Sequence, residues 1–481
     1  MFTTAPLFGK FHSPLKDAAV PLRRQRPLHH LQSLCANWIA PSLLAPNETG
    51  GNSRQSVFTP ELTFMAFLDQ VLTPGSSCRR AVLQIQSYYQ SLPQPRTIQE
   101  ETSAYCQARA RWTLDELVDI RRHLAEHPGL NSLPFCVPGD RPLKVIDGSS
   151  LNAPDTKENR LAYPQSNDQK PQCGFPLLRL AAVFSLKTGA LLEREYAPYA
   201  ISENALYQKL RPTFQAGDIV LGDRNFGSWG ALASFKPRGV DGIFRMHSSR
   251  NQDFRQGQPL GANDRLLTLF KPKEKPANMP DEEWEKLPAQ INVRMVRFRL
   301  RTKNGRCKKI TLLTTLLDPA LWPVELLAAI YGRRWEIELF LRHIKTTLQM
   351  EMLSCLSPEM VHKELEMHLI GYNLIRAFMG EAALTCHVPV QRLSFKGSLD
   401  AAREYARAMA QIPPSYRQRR KTLYCEMLAA IARDPVPLRP DRFEPRCQKR
   451  RPKNYPFMTR PRRELRAARK DRLPSGKKAR P

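Results

Sequence analysis

The chain has 481 residues and no apolar run approaching the ~18–20 residues that a membrane span needs. Its N-terminus, MFTTAPLFGKFHSPLKD, lacks the charged start and apolar core of a secretory signal, so export is not expected. The ten cysteines include no C-x-x-C pair, which leaves no sign of a zinc ribbon or a redox dithiol. A disulfide framework does not suit a chain this long, so reduced thiols in the cytoplasm are expected. No internal repeat is visible. Acidic residues are scarce: 45 Asp and Glu stand against 74 Lys and Arg, a net charge of +29. That excess argues against a small-molecule metabolic enzyme and points to a polyanionic partner, most simply nucleic acid.

What is present reads as globular, with 42% hydrophobic and 25% charged residues. At roughly 100–200 residues per domain, the length suits about three domains. The charge is uneven, because residues 442–481 hold 16 basic and 3 acidic residues. This tail has few apolar residues and no periodicity, so alone it should be extended or disordered.

The N-terminal part is helical by pattern: PELTFMAFLDQVL (60–72) and TLDELVDIRRHLAEH (113–127) space apolar residues by three and four. Basic residues cluster in PLRRQRPLHH (21–30), which fits DNA binding, although solvated helix faces look the same. From Pro142 the texture changes. LKVID (143–147) is a short strand ending in an acid, and 176–196 is a long hairpin turning at KTG. A Ser-capped helix over 202–215, a second strand ending in an acid (DIVLGD, 218–223), a helix at 228–235 and a strand at 240–246 follow. This is a mixed α/β order with crossover helices. Residues 248–310 interrupt it as an insertion, and its hairpin 293–316 turns at Asn304-Gly305. One long helical stretch covers 324–350, with more helices to about 435.

Asp147 and Asp223 each end a short apolar strand, where ligands bind in open α/β sheets, although acids also commonly begin turns. On an ideal helix with Tyr331 at 0°, Glu338 falls near about −20°, Lys345 near about −40° and Arg334 near about −60°. Glu336 falls on the opposite face. That stripe is not a core stripe, but a solvated face with an ordinary Arg334–Glu338 pair would read the same way.

The spacing Tyr331-(2)-Arg334-(3)-Glu338-(6)-Lys345 resembles the Tyr-Arg-Glu-Lys signature of the IS-four-type insertion-sequence transposases. VIDGSSLNAPDTKENRLAYPQS (145–166) and GFPLLRLAAVFSLKTGALL (174–192) look like that family's first-Asp region. GDIVLGDRNFGSWGAL (217–232) and GVDGIFRMHSSR (239–250) resemble its second-Asp region. WEIELFLRHIKTTLQMEML (335–353), HLIGYNLIRAFMGEAA (368–383) and RRPKNYPFMTRPR (450–462) are similar to its C-terminal half, so the likeness spans residues 140–465.

The resemblance implies an α/β fold with an RNase H-like catalytic core. The expected division is a helical DNA-binding domain at 1–138, the core at 140–247 plus 315–385, and a β-rich insertion at 248–314. C-terminal helices at 386–440 and a basic tail at 441–481 complete it. The implied activity is DDE transposition: binding the terminal inverted repeats of its own element, then metal-dependent cleavage and strand transfer. Asp147, Asp223 and Glu338 would be the catalytic and metal-holding carboxylates, since two Mg²⁺ ions suit displacement at phosphorus and take oxygen ligands. Mn²⁺ is a possible substitute. Tyr331, Arg334 and Lys345 would contact transposon-end DNA near the cleaved phosphate. The implied partners are double-stranded DNA, as transposon ends and target, and a second copy of the chain in a synaptic complex, with no membrane. The implied setting is the bacterial cytoplasm, at the nucleoid. An inactive or domesticated DNA-binding relative and an RNase H-like nuclease are the alternatives.

Other residues carry weaker signals. Asp155 and Asp218 suit turn capping, and Arg224 and Asn225 follow Asp223 closely enough to touch DNA. Trp284 is the one tryptophan of the insertion, readable as a base-stacking residue or as local packing. His343, His362 and His368 have no ligand partners at suitable spacing and read as structural or surface residues.

Overall fold

The computed structural model describes residues 34–44, 57–90, 97–130, 133, 137–301, 307–437 and 456–470, apart from positions 36, 248–249, 251, 277–278 and 414. The basic cluster at 21–30, the Asn304-Gly305 turn and most of the tail lie outside these residues. Among the described residues no helix is long and apolar enough to cross a membrane.

Among the described residues, the α-helices that precede the sheet include α1 (Pro60–Leu72), α2 (Cys78–Gln90), α3 (Ser103–Arg111) and α4 (Leu114–Ala125). α4 starts in a capping box, in which the Thr113 hydroxyl accepts from Glu116 N–H and the Glu116 side chain accepts from Thr113 N–H.

The strands are β1 (Leu143–Asn152), β2 (Leu177–Ser185), β3 (Leu191–Pro198), β4 (Ile219–Gly222) and β5 (Asp241–Arg245), then β6 (Gln258–Gly261), β7 (Asp264–Phe270), β8 (Gln290–Arg301) and β9 (Cys307–Thr314). They form one sheet in the order β3-β2-β1-β4-β5-β9-β8-β7-β6. β1, β4 and β5 run parallel, while β2, β3 and β6 to β9 pair antiparallel. The strands within 248–314 thus extend the sheet, joined through Ile243↔Thr314 to Arg245↔Leu312. The short helix α5 (Lys157–Ala162) follows β1, and Ser-capped α6 (Glu203–Leu210) and α7 (Trp229–Phe235) cross over between parallel strands. α8 (Asp281–Lys286) lies between β7 and β8.

Side-chain alternation divides the sheet into two cores. Val145 and Leu221 join one with the N-terminal helices and the helices after β9, whereas Ile146 and Val220 join the other with α6 and α7. The first core is organised by α11 (Pro358–Thr385), which is buried nearly all round. α11 grips the β2–β3 turn: Tyr372 Oη donates to Gly189 O (2.6 Å) and Arg376 Nε to Thr188 O (2.9 Å). Gly189 has φ +71°, and a Cβ there would lie 2.1 Å from the Arg376 guanidinium.

Two expectations need correction. The stretch 324–350 is not one helix. It comprises α9 (Val324–Gly332), a 3₁₀ turn (Arg333–Trp335), α10 (Glu336–Arg342) and a π turn (His343–Thr347). In the tail, Arg462–Lys470 forms a helix, α14, after α12 (Phe395–Ala410) and α13 (Arg417–Ala432).

Candidate active site

β1 does not stop at Asp147. Its register with β2 continues from Lys144↔Ser185 to Asn152↔Leu177, so the polar Gly-Ser-Ser run is strand because β2 supplies its backbone partners. Its parallel pairing with β4 is short and ends at Val145↔Leu221. Asp147 lies two residues past Val145 and Asp223 two past Leu221, so they occupy matching positions where the strands part. By the period of two, Asp147 continues the face of Val145, against which α9 and α10 pack.

From that side Arg334 reaches in. Its Nη1 lies 3.7 Å from Asp147 Oδ2 and its Nη2 3.7 Å from Glu338 Oε1. The Arg334 side chain is 9% exposed and its Nε is buried without a hydrogen-bond partner. Its guanidinium carbon lies 4.8 Å from the Trp335 ring centroid and 6.0 Å from that of Tyr331. Tyr331 is buried, and burial pushes its phenol up to about 12, with Arg334 pulling the other way. Glu338 is exposed, so the ideal-helix stripe turns from the core at Tyr331 to solvent at Glu338. Lys345 is half-buried within the π turn, a distortion frequent at functional sites. The chain after that turn is stitched to the end of β1: Asn152 N–H donates to Glu351 O and Leu353 N–H to Asn152 O, both at 3.0 Å.

Burial raises the Asp147 carboxyl to about 6. Gly148 N–H, which donates to Oδ1 at 2.9 Å, and Arg334 oppose the shift, while Glu203 and Asp223 add to it. Glu203 opens α6 and lies 3.8 Å from Arg179. Its carboxylate occupies the space a side chain at 148 would need, because a Cβ there would sit 2.7 Å from Glu203 Oε1. The sequence shows Glu203 only as a first-turn acid.

The other candidates fall in place. Glu336 pairs with Arg333 (2.7 Å), which also donates to Leu186 O. Asp155 pairs with Arg160 (3.3 Å), and buried Asp218 pairs with Lys144. Arg224 and Asn225 are exposed beside Asp223. Trp284 packs edge-on against Trp229 at 5.7 Å and under Lys271. His343 stacks on Phe395, His362 meets Tyr163, and His368 is buried.

Residues 138–374 match the family model of the transposase DDE domain. The transposase InsG for insertion sequence element IS4 of Escherichia coli (strain K12) is 28% identical over 318 residues, covering 65% of this chain and 69% of that protein. Together the two matches support an IS4-type DDE transposase. The putative transposase InsZ of the same organism is 34% identical over 100 residues, 21% of this transposase and 33% of that protein. A cryo-EM structure of a piggyBac transposase synaptic complex with hairpin DNA overlaps 87% of this transposase and 86% of that chain, at 9% identity and a TM-score of 0.39. That likeness is too loose to bear on the site.

For a divalent ion the donor chemistry of this transposase fits, since its three acids offer only hard oxygens. Among the described residues, however, no three Asp, Glu, His or Cys side chains already converge closely enough to hold a metal ion. The Arg334 guanidinium is the cation between two of them.

Proposed function

We propose that this transposase binds the terminal inverted repeats of its own insertion sequence and cuts and rejoins DNA at Asp147, Asp223 and Glu338. The observation that carries this reading is Arg334 between Asp147 and Glu338, on the strand face where Asp223 matches Asp147 in register. The β3-β2-β1-β4-β5 half of the sheet, with β1, β4 and β5 parallel, supports an RNase H-like core formed by 140–247 and 315–385. Residues 248–314 are its insertion, 1–138 read the ends, 386–440 buttress the core and 441–481 track phosphates. The partners are double-stranded DNA and a second copy of the chain, and the setting is the bacterial cytoplasm at the nucleoid.

Asp147, Asp223 and Glu338 would hold two Mg²⁺ ions, or Mn²⁺ in their place. When bound, these supply activation of the attacking water or 3′-hydroxyl and charge neutralisation at the leaving oxygen. The chain does the rest. β1 and β4 fix two carboxylates side by side, and α10 brings the third. Arg334 grips a phosphate with a planar fork, Lys345 adds a point charge, and the buried Tyr331 phenol braces Arg334.

The test is incubation with Mg²⁺ and either end-bearing or arbitrary DNA. Cutting at the ends, lost in Glu338→Gln, supports the reading. Nicking without end preference favours a nuclease, and binding without cutting favours a non-catalytic DNA-binding protein.

A further inference from the structure

The parallel strands β1, β4 and β5 carry three charges at one level. β4 pairs with β5 in register from Ile219↔Asp241 to Gly222↔Phe244. The next residues, Asp223 and Arg245, therefore lie level with each other, as Asp147 lies level with Asp223. The three also share a face. Val145, Leu221 and Ile243, two residues earlier in each strand, all enter the core formed with the helices after β9. Arg245 thus closes a row of Asp147, Asp223 and Arg245, with one strand spacing of about 5 Å per step. β9 fixes it there: Arg245 pairs with Leu312 in register, and Met246 N–H donates to Thr311 O at 2.8 Å.

We propose that Arg245 grips a phosphate of the DNA strand being cut, on the side of Asp223 away from Asp147. The proposal rests on the reading of Asp147, Asp223 and Glu338 as the cutting site. Arg245 is half-buried, yet among the described residues it forms no hydrogen bond or ion pair. Other buried or half-buried arginines of the sheet have partners. Arg179 meets Glu203, Arg194 meets Glu366 and Arg294 meets Asp264, while Arg265 donates to Phe254 O and Arg297 to Gln252 O. A guanidinium drawn partly out of water without a partner is costly, and a bound phosphate supplies the partner with two parallel hydrogen bonds.

The surroundings place Arg245 on the reacting side of the sheet. Burial raises the Tyr331 phenol; Arg334 and Arg245 oppose that rise and Asp223 adds to it, so the phenol lies within the field of all three charges. Arg334 stands between Asp147 and Glu338 at one end of the row, and Arg245 stands at the other. A phosphodiester laid along the row meets a planar donor fork at each end. The two cations also offset the repulsion that the carboxylates between them exert on a phosphate.

The test uses the full chain and end-bearing duplex DNA in EDTA, with binding read by fluorescence anisotropy. One phosphate at a time around the cut is replaced by a neutral methylphosphonate. In wild type each phosphate gripped by a guanidinium should show as a loss of affinity of roughly tenfold. In Arg245→Gln one of those positions should cease to matter, and in Arg334→Gln a different one. Arg245→Lys should keep part of the sensitivity at the Arg245 position, because it retains the charge and loses the fork. A mere counter-charge for Asp223 would leave every position as sensitive in Arg245→Gln as in wild type, and that result would overturn the proposal. Should Arg245→Gln fail to fold, Arg245→Lys decides: reduced sensitivity at one position supports the contact, and an unchanged map overturns it. Cutting of unmodified ends by wild type with Mg²⁺ is run alongside. Failure to cut overturns the site reading itself, whereas cutting with a map untouched by the Arg245 variants overturns only this contact.

Discussion

Arg334 Nη1 stands 3.7 Å from Asp147 Oδ2, so a guanidinium occupies the approach to a half-buried carboxylate of the site. Its other amino group stands as far from Glu338, and it therefore neutralises the two acids that a divalent ion would have to draw together. Arg334→Gln should tighten Mn²⁺ binding in the absence of DNA by roughly tenfold, since removing a charge this close is worth at least about 1 kcal/mol. The same variant should lose end cleavage. Electron paramagnetic resonance of free Mn²⁺ checks the first effect, and unchanged or weaker affinity would show that Arg334 does not stand in for the ion.

The raised Asp147 carboxyl gives a pH signature. Its value is about 6 in the fold against about 4 unfolded. Between those values the folded chain holds the extra proton, so this group's contribution to stability falls as pH rises from about 4 to about 6. Metal-free thermal melts of wild type should show that decline relative to Asp147→Asn. In the metal-free protein the carboxyl itself ionises with a midpoint at about 6. Glu203→Gln removes a neighbouring negative charge and should move that midpoint to lower pH; an unmoved midpoint would place Glu203 outside the site's electrostatics.

A third expectation concerns Lys345. Lys345→Ala should weaken binding to DNA of any sequence alike and reduce the slope of log affinity against log salt by about one. A sequence-selective loss with an unchanged slope would assign Lys345 to base reading instead. Fluorescence anisotropy over a salt series measures both.

The N-terminal helices are pinned to the sheet by a buried ion network. Arg121 and Glu366, both fully buried, pair at 2.9 Å, Arg194 joins Glu366, and Arg121 also pairs with Glu193 at 2.7 Å. Glu366→Gln leaves two guanidiniums short of their shared charge and should cost about 3–5 kcal/mol in denaturant unfolding. A loss below about 1 kcal/mol would mean that apolar packing alone holds α4 on α11.

The local elements were legible and their joints were not. Leu177–Pro198 announced itself by two apolar runs around Lys-Thr-Gly, and Asp147 and Asp223 by their place at strand ends. The extension of β1 through Gly148, Ser149 and Ser150 was hidden, because those residues have no strand pattern and are held by β2. The continuity of the sheet from β5 into β9 depends on pairing across more than 60 residues, which no local window contains. Nothing in RRWEIELFLRHIK marks where the helix tightens to 3₁₀ or widens to π. An ideal wheel therefore put Tyr331 and Glu338 on one face, where the fold buries the first and exposes the second. Glu203 reads as a helix-starting acid until the fold sets it against Gly148.

The most direct test compares two neighbouring glutamates in one assay. Glu338→Gln and Glu336→Gln differ in partner: Glu338 meets Arg334 at the site, and Glu336 meets Arg333 away from it. With end-bearing DNA and Mg²⁺, Glu338→Gln should abolish cleavage while retaining DNA binding, and Glu336→Gln should cleave within a few-fold of wild type. Robust cleavage by Glu338→Gln, or its loss in Glu336→Gln alone, would contradict the assignment of the third carboxylate.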